Sequence, residues 1–252
     1  MFDEFQISSK HDRIRLDNLL VDINVVATRN KASALIMAGD VYLNEKKITK
    51  SGSFVRAGST LRVRKRKTWV SRGGLKLDQA LKDLNVNVLN CDCLDLGCST
   101  GGFSEVLLAY GAKSVFGIDV GYGQIDLKIR NNKKFKIAER TNVRFLKLRE
   151  KELFDVIVAD LSFISLKIAI PPSLDYLKKD GTLIVLIKPQ FEATKNLISK
   201  GGILKDSFIQ ENICRDIISF FKNNHKLKFL SKVNSCILGQ KGNKEFFGHF
   251  KK

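Results

Sequence analysis

The stretch Asp95-Leu96-Gly97-Cys98-Ser99-Thr100-Gly101-Gly102-Phe103 decides the fold class. The apolar run Cys93 to Leu96 leads into it as a strand, and helical spacing from Phe103 to Tyr110 leads out of it. Glycines at such a junction let the backbone approach a ligand closely, and open α/β sheets bind their ligands there. The pattern is neither Gly-x-Gly-x-x-Gly nor a P-loop ending in Gly-Lys-Ser/Thr, so a diphosphate ligand is not favoured.

Outward from this turn, strands and helices alternate from Ser71 to the end of the chain. Helix Leu75 to Leu84 precedes the first strand. Strand Ser114 to Asp119, helix Gln124 to Arg130, and strands Lys134 to Ile137 and Phe154 to Ala159 follow the turn. Pro171-Pro172 starts a helix, then come strand Thr182 to Ile187, helix Ser207 to Lys222, and strands Phe229 to Leu238 and Phe246 to Phe250. Continuous apolar strands separated by helices predict an α/β fold with a doubly wound, mostly parallel sheet covered on both faces.

Upstream the pattern differs. Residues 13 to 63 read as helix Arg15 to Asp22, helix Arg29 to Ala38 and short strands separated by turns such as Asn44-Glu45-Lys46 and Ala57-Gly58-Ser59. This predicts a small α+β domain over 1–63, with 1–12 as an N-terminal extension. A basic linker over 64–70 leads to the larger domain over 71–252. Arg15, Arg29 and Lys31 fall on the two helices, and Arg64, Lys65 and Arg66 in the basic run Arg62 to Lys67, where cations can meet phosphates.

The whole chain fits a polyanion as partner. Its 252 residues carry 44 Lys and Arg against 26 Asp and Glu, a formal net charge of +18. No run reaches the roughly 18 apolar residues of a membrane-spanning helix, and Met1 to Lys10 has no apolar signal-peptide core. A cytoplasmic protein with no membrane partner is expected. Five cysteines without a Cys-x-x-Cys pair, and histidines scattered at His11, His225 and His249, predict neither a disulfide framework nor a metal site. Cys91 and Cys93 are expected on one face of a strand, as core filler.

About 20 residues beyond the glycine turn, Asp119 ends the next strand, where an acid can take both ribose hydroxyls. Asp95, the turn and Asp119 together suit a nucleoside whose far end carries an amino acid. S-adenosylmethionine is such a ligand, and Asp95 could attract its ammonium.

The chain resembles, end to end, the TlyA family of ribosomal RNA ribose methyltransferases. That family joins an RNA-binding domain of the ribosomal-protein S-four type to an FtsJ-like methyltransferase domain. The resemblance is carried by Ser71-Arg72-Gly73-Gly74-Leu75-Lys76-Leu77, the glycine turn, Asp160-Leu161-Ser162-Phe163-Ile164-Ser165-Leu166, Ile187-Lys188-Pro189-Gln190-Phe191-Glu192 and Lys241-Gly242-Asn243-Lys244-Glu245-Phe246. It implies a class I S-adenosylmethionine-dependent fold. It also implies a catalytic tetrad of Lys76, Asp160, Lys188 and Glu245, and a cofactor site over Asp95, Gly97, Ser99, Thr100, Gly101, Gly102, Phe103, Asp119 and Asp160. Arg72, within the first motif, joins the expected RNA contacts. Family members methylate a cytidine ribose in large-subunit ribosomal RNA, some also in small-subunit RNA. The family's commoner Ser-Arg at the start of the second helix is Thr28-Arg29 here.

The chemistry is consistent with those residues. Methyl transfer from a sulfonium to an alcohol is an in-line displacement, so positioning and electrostatics do most of the work. A lysine near a second lysine can stabilise developing oxygen charge and accept the proton. Lys188 has the strand-end position for this, Lys76 supplies the like charge, and Asp160 and Glu245 orient the ammonium groups. Exocyclic-amine transfer goes with Asn/Asp-Pro-Pro-Tyr/Phe where this chain has Asp160-Leu161-Ser162-Phe163, and a C5 methyltransferase needs a Pro-Cys nucleophile that is absent. The alternatives are a non-catalytic ribosome assembly factor and a pore-forming haemolysin.

Overall fold

The computed structural model describes residues 2–64, 69–148 and 152–252, with the backbone alone at Gln240. The chain divides into two compact units, Met1–Thr68 and Trp69–Lys252.

In the first unit, β1 (Phe2–Gln6) is followed by β2 (Ile14–Arg15), α1 (Leu16–Asp22) and α2 (Arg29–Met37). Four short strands complete it: β3 (Val41–Leu43), β4 (Lys46–Ile48), β5 (Phe54–Val55) and β6 (Thr60–Arg64). The main sheet has the order β1-β6-β3-β4, antiparallel throughout, and β2 pairs with β5. Leu16, Leu19 and Leu20 of α1 and Ala32 and Ile36 of α2 pack on Val41, Leu61 and Val63. At about 1.5–3 kcal/mol per buried large aliphatic side chain, this packing holds two helices too short to persist alone.

Two expectations change here. Residues 2–6 are an edge strand of the sheet and not an extension outside it, because Phe2, Glu4 and Gln6 find partners on β6. The Arg62 guanidinium lies over the Phe2 ring and pairs with Glu4. For the same reason Arg64, expected as the first residue of the linker, is the last residue of β6.

The second unit contains α3 (Arg72–Asp83), β7 (Asp92–Leu96), α4 (Gly102–Ala109), β8 (Ser114–Ile118), α5 (Leu127–Arg130), β9 (Phe135–Ala138) and β10 (Phe154–Ala159). It continues with α6 (Leu166–Ala169), α7 (Pro171–Leu174), β11 (Leu177–Ile187), α8 (Pro189–Glu192), α9 (Ser207–His225), β12 (Lys228–Asn234) and β13 (Phe246–Lys251). The seven strands run β12-β13-β11-β10-β7-β8-β9. The five from β11 to β9 are parallel, β13 runs antiparallel to its neighbours β11 and β12, and β12 at the edge has the direction of the five.

Strand alternation sends side chains to two cores. Ile157, Ala159, Leu183, Val185 and Ile187 face a cluster with Leu166, Leu174, Ile217 and Phe221 of α6, α7 and α9. Val156, Val158, Ile184 and Leu186 face Leu77, Leu81, Val106 and Leu107 of α3 and α4. This is the doubly wound, mostly parallel sheet expected.

Local differences have local causes. The expected helix Gln124 to Arg130 shortens to Leu127–Arg130, because Gly121 and Gly123 precede it and the Asp126 carboxylate caps it at the Lys128 N–H. The first closing strand stops at Asn234, where the chain leaves the sheet edge for a loop that returns at Glu245. Cys91 precedes β7 and only Cys93 enters the core; burial pushes the Cys93, Cys98 and Cys214 thiols up, so they act as apolar filler.

Candidate active site

β7, β8, β10 and β11 all end at the same edge of the sheet, and the turns that follow them build the site. In the first turn Gly97, Ser99 and Gly101 have φ of 79°, 48° and 95°. A Cβ on Gly97 would lie 2.6 Å from the Asp160 carbonyl oxygen, so the neighbouring strand end can approach only a glycine. Gly102 meets the start of α3, where a Cβ would strike Ser71 Oγ and the Gly74 nitrogen.

Two adjoining cavities open here, of about 510 and 480 Å³. Gly97, Ser99, Asp160, Ser162 and Phe163 line both. Asp119 lines the first; its Oδ2 accepts from the Ser99 N–H and its Oδ1 from the Gly121 N–H, each at 2.7 Å. Each oxygen keeps a lone-pair direction for a ligand hydroxyl. Thr100, Gly102 and Phe103 line the second cavity with Gly97 and Ser99.

Two expected cofactor residues are placed differently. Asp95 is fully buried and lines neither cavity, because strand alternation turns it under α4, where it accepts from Ser104 Oγ at 2.6 Å. Burial pushes its carboxyl up to about 7; the Ser104 hydroxyl pulls it down and the Asp160 charge pushes it further up. Gly101 also lines neither cavity and faces Ile129 across the turn. On the other side, the first cavity takes Thr141, Asn142 and Val143, which the sequence reading passed over. Their only signal was an Asn with cap spacing, and Asn142 does cap the following turn at the Arg144 N–H.

The four charges expected as a tetrad converge on the second cavity. Lys188 Nζ lies 2.5 Å from Asp160 Oδ1 and donates to Ser162 Oγ at 2.9 Å. Lys76 Nζ donates to Glu245 Oε2 at 2.6 Å. Lys76, Lys188 and Glu245 are buried, where charges persist only if paired. Gly239 closes the loop over Glu245; a Cβ there would sit 2.0 Å from Glu245 Oε1.

Above them stands Phe163, 88% exposed at the rim of both cavities, its backbone at φ 63°. Its ring centroid is 4.9 Å from that of Phe191. Gln190 lines the same cavity, with an Oε1 that has no hydrogen-bond partner among the described residues. In the sequence Phe163, Gln190 and Phe191 stand inside the motifs with no signal of their own.

The expected RNA contacts divide. In the first unit, Arg15 and Arg29 both donate to buried Asp17, whose carboxyl is held at about 2, chiefly by the Arg15 hydrogen bond. Lys31 is exposed, one turn into α2. Arg64 donates to the Tyr42 hydroxyl at 2.9 Å, and Lys65 and Arg66 lie outside the described residues. In the second unit, Arg72 lines the second cavity and donates to the Leu238 carbonyl at 2.6 Å. Arg15, Arg29, Arg64 and Arg72 therefore have structural partners as well as exposed surface.

Comparison with known proteins agrees with this architecture. The profile of the FtsJ-like methyltransferases matches residues 69–252, and that of the S4 domain matches residues 14–61. Hemolysin A of Brachyspira hyodysenteriae is 36% identical over 242 residues, covering 94% of this chain and 99% of that protein. The 16S/23S rRNA (cytidine-2′-O)-methyltransferase TlyA of Mycobacterium tuberculosis is 36% identical over 240 residues, covering 93% and 88%. A solved structure described as a hemolysin, from Streptococcus thermophilus, superposes with a TM-score of 0.71 at 34% identity, covering 96% of this chain and 89% of that one. With an S4 domain over 14–61, an FtsJ-like methyltransferase domain over 69–252 and, over 93% of its length, 36% identity to a TlyA relative, the chain belongs to the TlyA family of FtsJ-like methyltransferases.

Proposed function

We propose that the protein transfers the methyl group of S-adenosylmethionine to the 2′-hydroxyl of a cytidine in ribosomal RNA, acting on RNA or on ribosomal subunits. The observation that carries this reading is the pair of buried ion pairs, Lys188–Asp160 and Lys76–Glu245, facing one cavity beside the glycine turn.

The cofactor fits the residues present. Asp119 offers two acceptors to a ribose, Ile118, Val120, Val143 and Leu161 give the first cavity an apolar lining for a base, and the Gly97 to Gly102 backbone borders the passage to the second cavity. When bound it supplies an electrophilic methyl. The protein's own groups do the rest. Asp160 Oδ1 and Ser162 Oγ fix the direction of Lys188 Nζ, which faces the incoming hydroxyl; with Nζ as the neutral amine, its lone pair takes the hydroxyl proton. Lys76 adds positive potential as oxygen charge develops, and Glu245 orients it.

Phe163 serves as the platform on which the target base stacks once it leaves the RNA fold; an exposed aromatic ring at a cavity mouth suits that task. The first unit supplies cations for the RNA backbone through Lys31, Arg29 and Arg15, with Arg64, Lys65 and Arg66 extending that set and Arg72 at the catalytic cavity. A non-catalytic assembly factor leaves the four charges without a task, since buried ion pairs seldom add stability over apolar packing. A pore former finds no support in the helices: among the described residues none is long and apolar enough to cross a membrane.

Labelled methyl transfer to purified ribosomal subunits, followed by ribose-methylation mapping, tests the reading. A methyl on a cytidine 2′-oxygen is expected; a methyl on a base, or on protein, rules it out.

A further inference from the structure

Phe163 poses a physical problem. Its φ of 63° is a conformation that a bulky residue keeps only when its surroundings impose it. Its ring is exposed, so core burial does not supply that constraint. The constraint comes from the flanks of the turn. On one side Lys188 Nζ donates to Ser162 Oγ at 2.9 Å. On the other, Glu192 accepts from Ser165 Oγ at 2.5 Å and from the Leu166 N–H at 2.8 Å. Ser165 in turn caps α6 at the Lys167 N–H. The carboxylate of Glu192, the last residue of α8, thus ties the loop after β11 to the loop after β10. It lines neither cavity of the active site.

We propose that Glu192 is a positioning residue, which clamps Ser165 and Leu166 to α8 and so holds the 160–166 loop in the turn that projects Phe163 over the cavity mouth. This deepens, and rests on, the reading of Phe163 as the platform for the target base. The clamp needs two hydrogen-bonding atoms at the right separation and not a negative charge. An amide meets that need, because its oxygen accepts from Leu166 and its NH₂ donates to Ser165 Oγ. A methyl group meets neither, and leaves the shielded Leu166 N–H without a partner.

The test compares wild type with Glu192→Ala and Glu192→Gln, each also in a Phe163→Ala background. Three readouts are used: single-turnover transfer to ribosomal subunits at saturating S-adenosylmethionine, cofactor affinity by calorimetry, and hydrogen exchange over residues 160–167. Glu192→Ala is expected to slow transfer about 10-fold or more, the order of effect of leaving a buried donor unpaired. It should accelerate exchange at Leu166 similarly and leave cofactor affinity within about 3-fold, while Glu192→Gln stays close to wild type on every readout.

In the Phe163→Ala background the further loss of rate from Glu192→Ala should shrink below about 3-fold, since the clamp no longer has a ring to place. Full additivity of the two losses, unchanged exchange at Leu166, or a Gln variant as slow as the Ala variant would each overturn the proposal. If Glu192→Ala does not fold, Ser165→Ala removes one of the two bonds together with the α6 cap but leaves the Glu192 bond to the Leu166 N–H, and should also slow transfer and speed exchange over 160–167; wild-type behaviour there counts against the clamp. Wild type that methylates no subunit would refute the proposed function, while the exchange measurement still decides whether Glu192 holds the loop.

Discussion

At Lys188 one nitrogen is oriented by two oxygens and faces the place where a hydroxyl has to sit. Lys188→Ala should lower single-turnover transfer by about 10²-fold or more, the range of a positioned proton acceptor, with cofactor and RNA affinities retained. Lys188→Arg should fail as well, since a guanidinium keeps the charge but neither the shape nor the ability to accept a proton at neutral pH. A variant within a few-fold of wild type in a quench-flow assay would remove Lys188 from the chemistry. Asp95 gives a pH signature of its own. Its carboxyl is raised from 3.8 to about 7, so between those values the folded protein holds a proton that the unfolded chain has released. Stability should therefore fall as pH rises from about 4 to 7 and level off above, the reverse of a salt-bridged acid. Thermal melts of Asp95→Asn should lack this slope and gain on wild type as pH rises to about 8; parallel melting curves for the two proteins would exclude it.

Among the elements, the turn from β7 to α4 separates what a glycine does for a ligand from what it does for the fold. Gly101 has φ 95° and packs on Ile129, away from both cavities. Gly101→Val should therefore act first on stability, lowering the melting temperature by several degrees, because a branched side chain there meets strain and overlap together. An unchanged melting temperature with lost cofactor binding would restore Gly101 to the site. Most elements of the second unit are legible in the sequence, because strands buried on both faces read as unbroken apolar runs. The four charges are legible too, as motif residues: Asp160, Lys188 and Glu245 beside strand ends and Lys76 on α3. Their pairing is not: Lys76 takes Glu245, and Lys188 takes Asp160, because β13 inserts between β11 and β12, and spacing along the chain carries no strand order. The facing of Asp95 was available in the two-residue period that puts it with Cys93 under α4, but a strand-end acid beside glycines drew the stronger reading. Strand β1 escaped notice because its Phe-Asp-Glu-Phe pattern gains meaning only opposite Arg62 and Arg64.

For the molecule as a whole, the +18 charge sets the expected response to salt. Arg29→Gln with Lys31→Gln should weaken binding to ribosomal RNA and lower the slope of log affinity against log salt by up to about two, one for each phosphate that is no longer neutralised. Cofactor affinity should not change. Filter binding across a salt series measures this, and an unaltered slope would return both residues to surface cations, with Arg29 serving only its bond to Asp17.

The placement of β13 also bears on how the enzyme is made. The strand enters between β11 and β12, two strands already synthesised, and its first residue follows Glu245 directly. Domains fold as their segments leave the ribosome, and here the slot between the edge strand β12 and β11 stays open until β13 arrives. A growing chain that ends before Glu245 has Asp160 and Lys188 but leaves Lys76 without its carboxylate. Closing that slot and completing the Lys76–Glu245 pair are thus one event in the folding of the second unit.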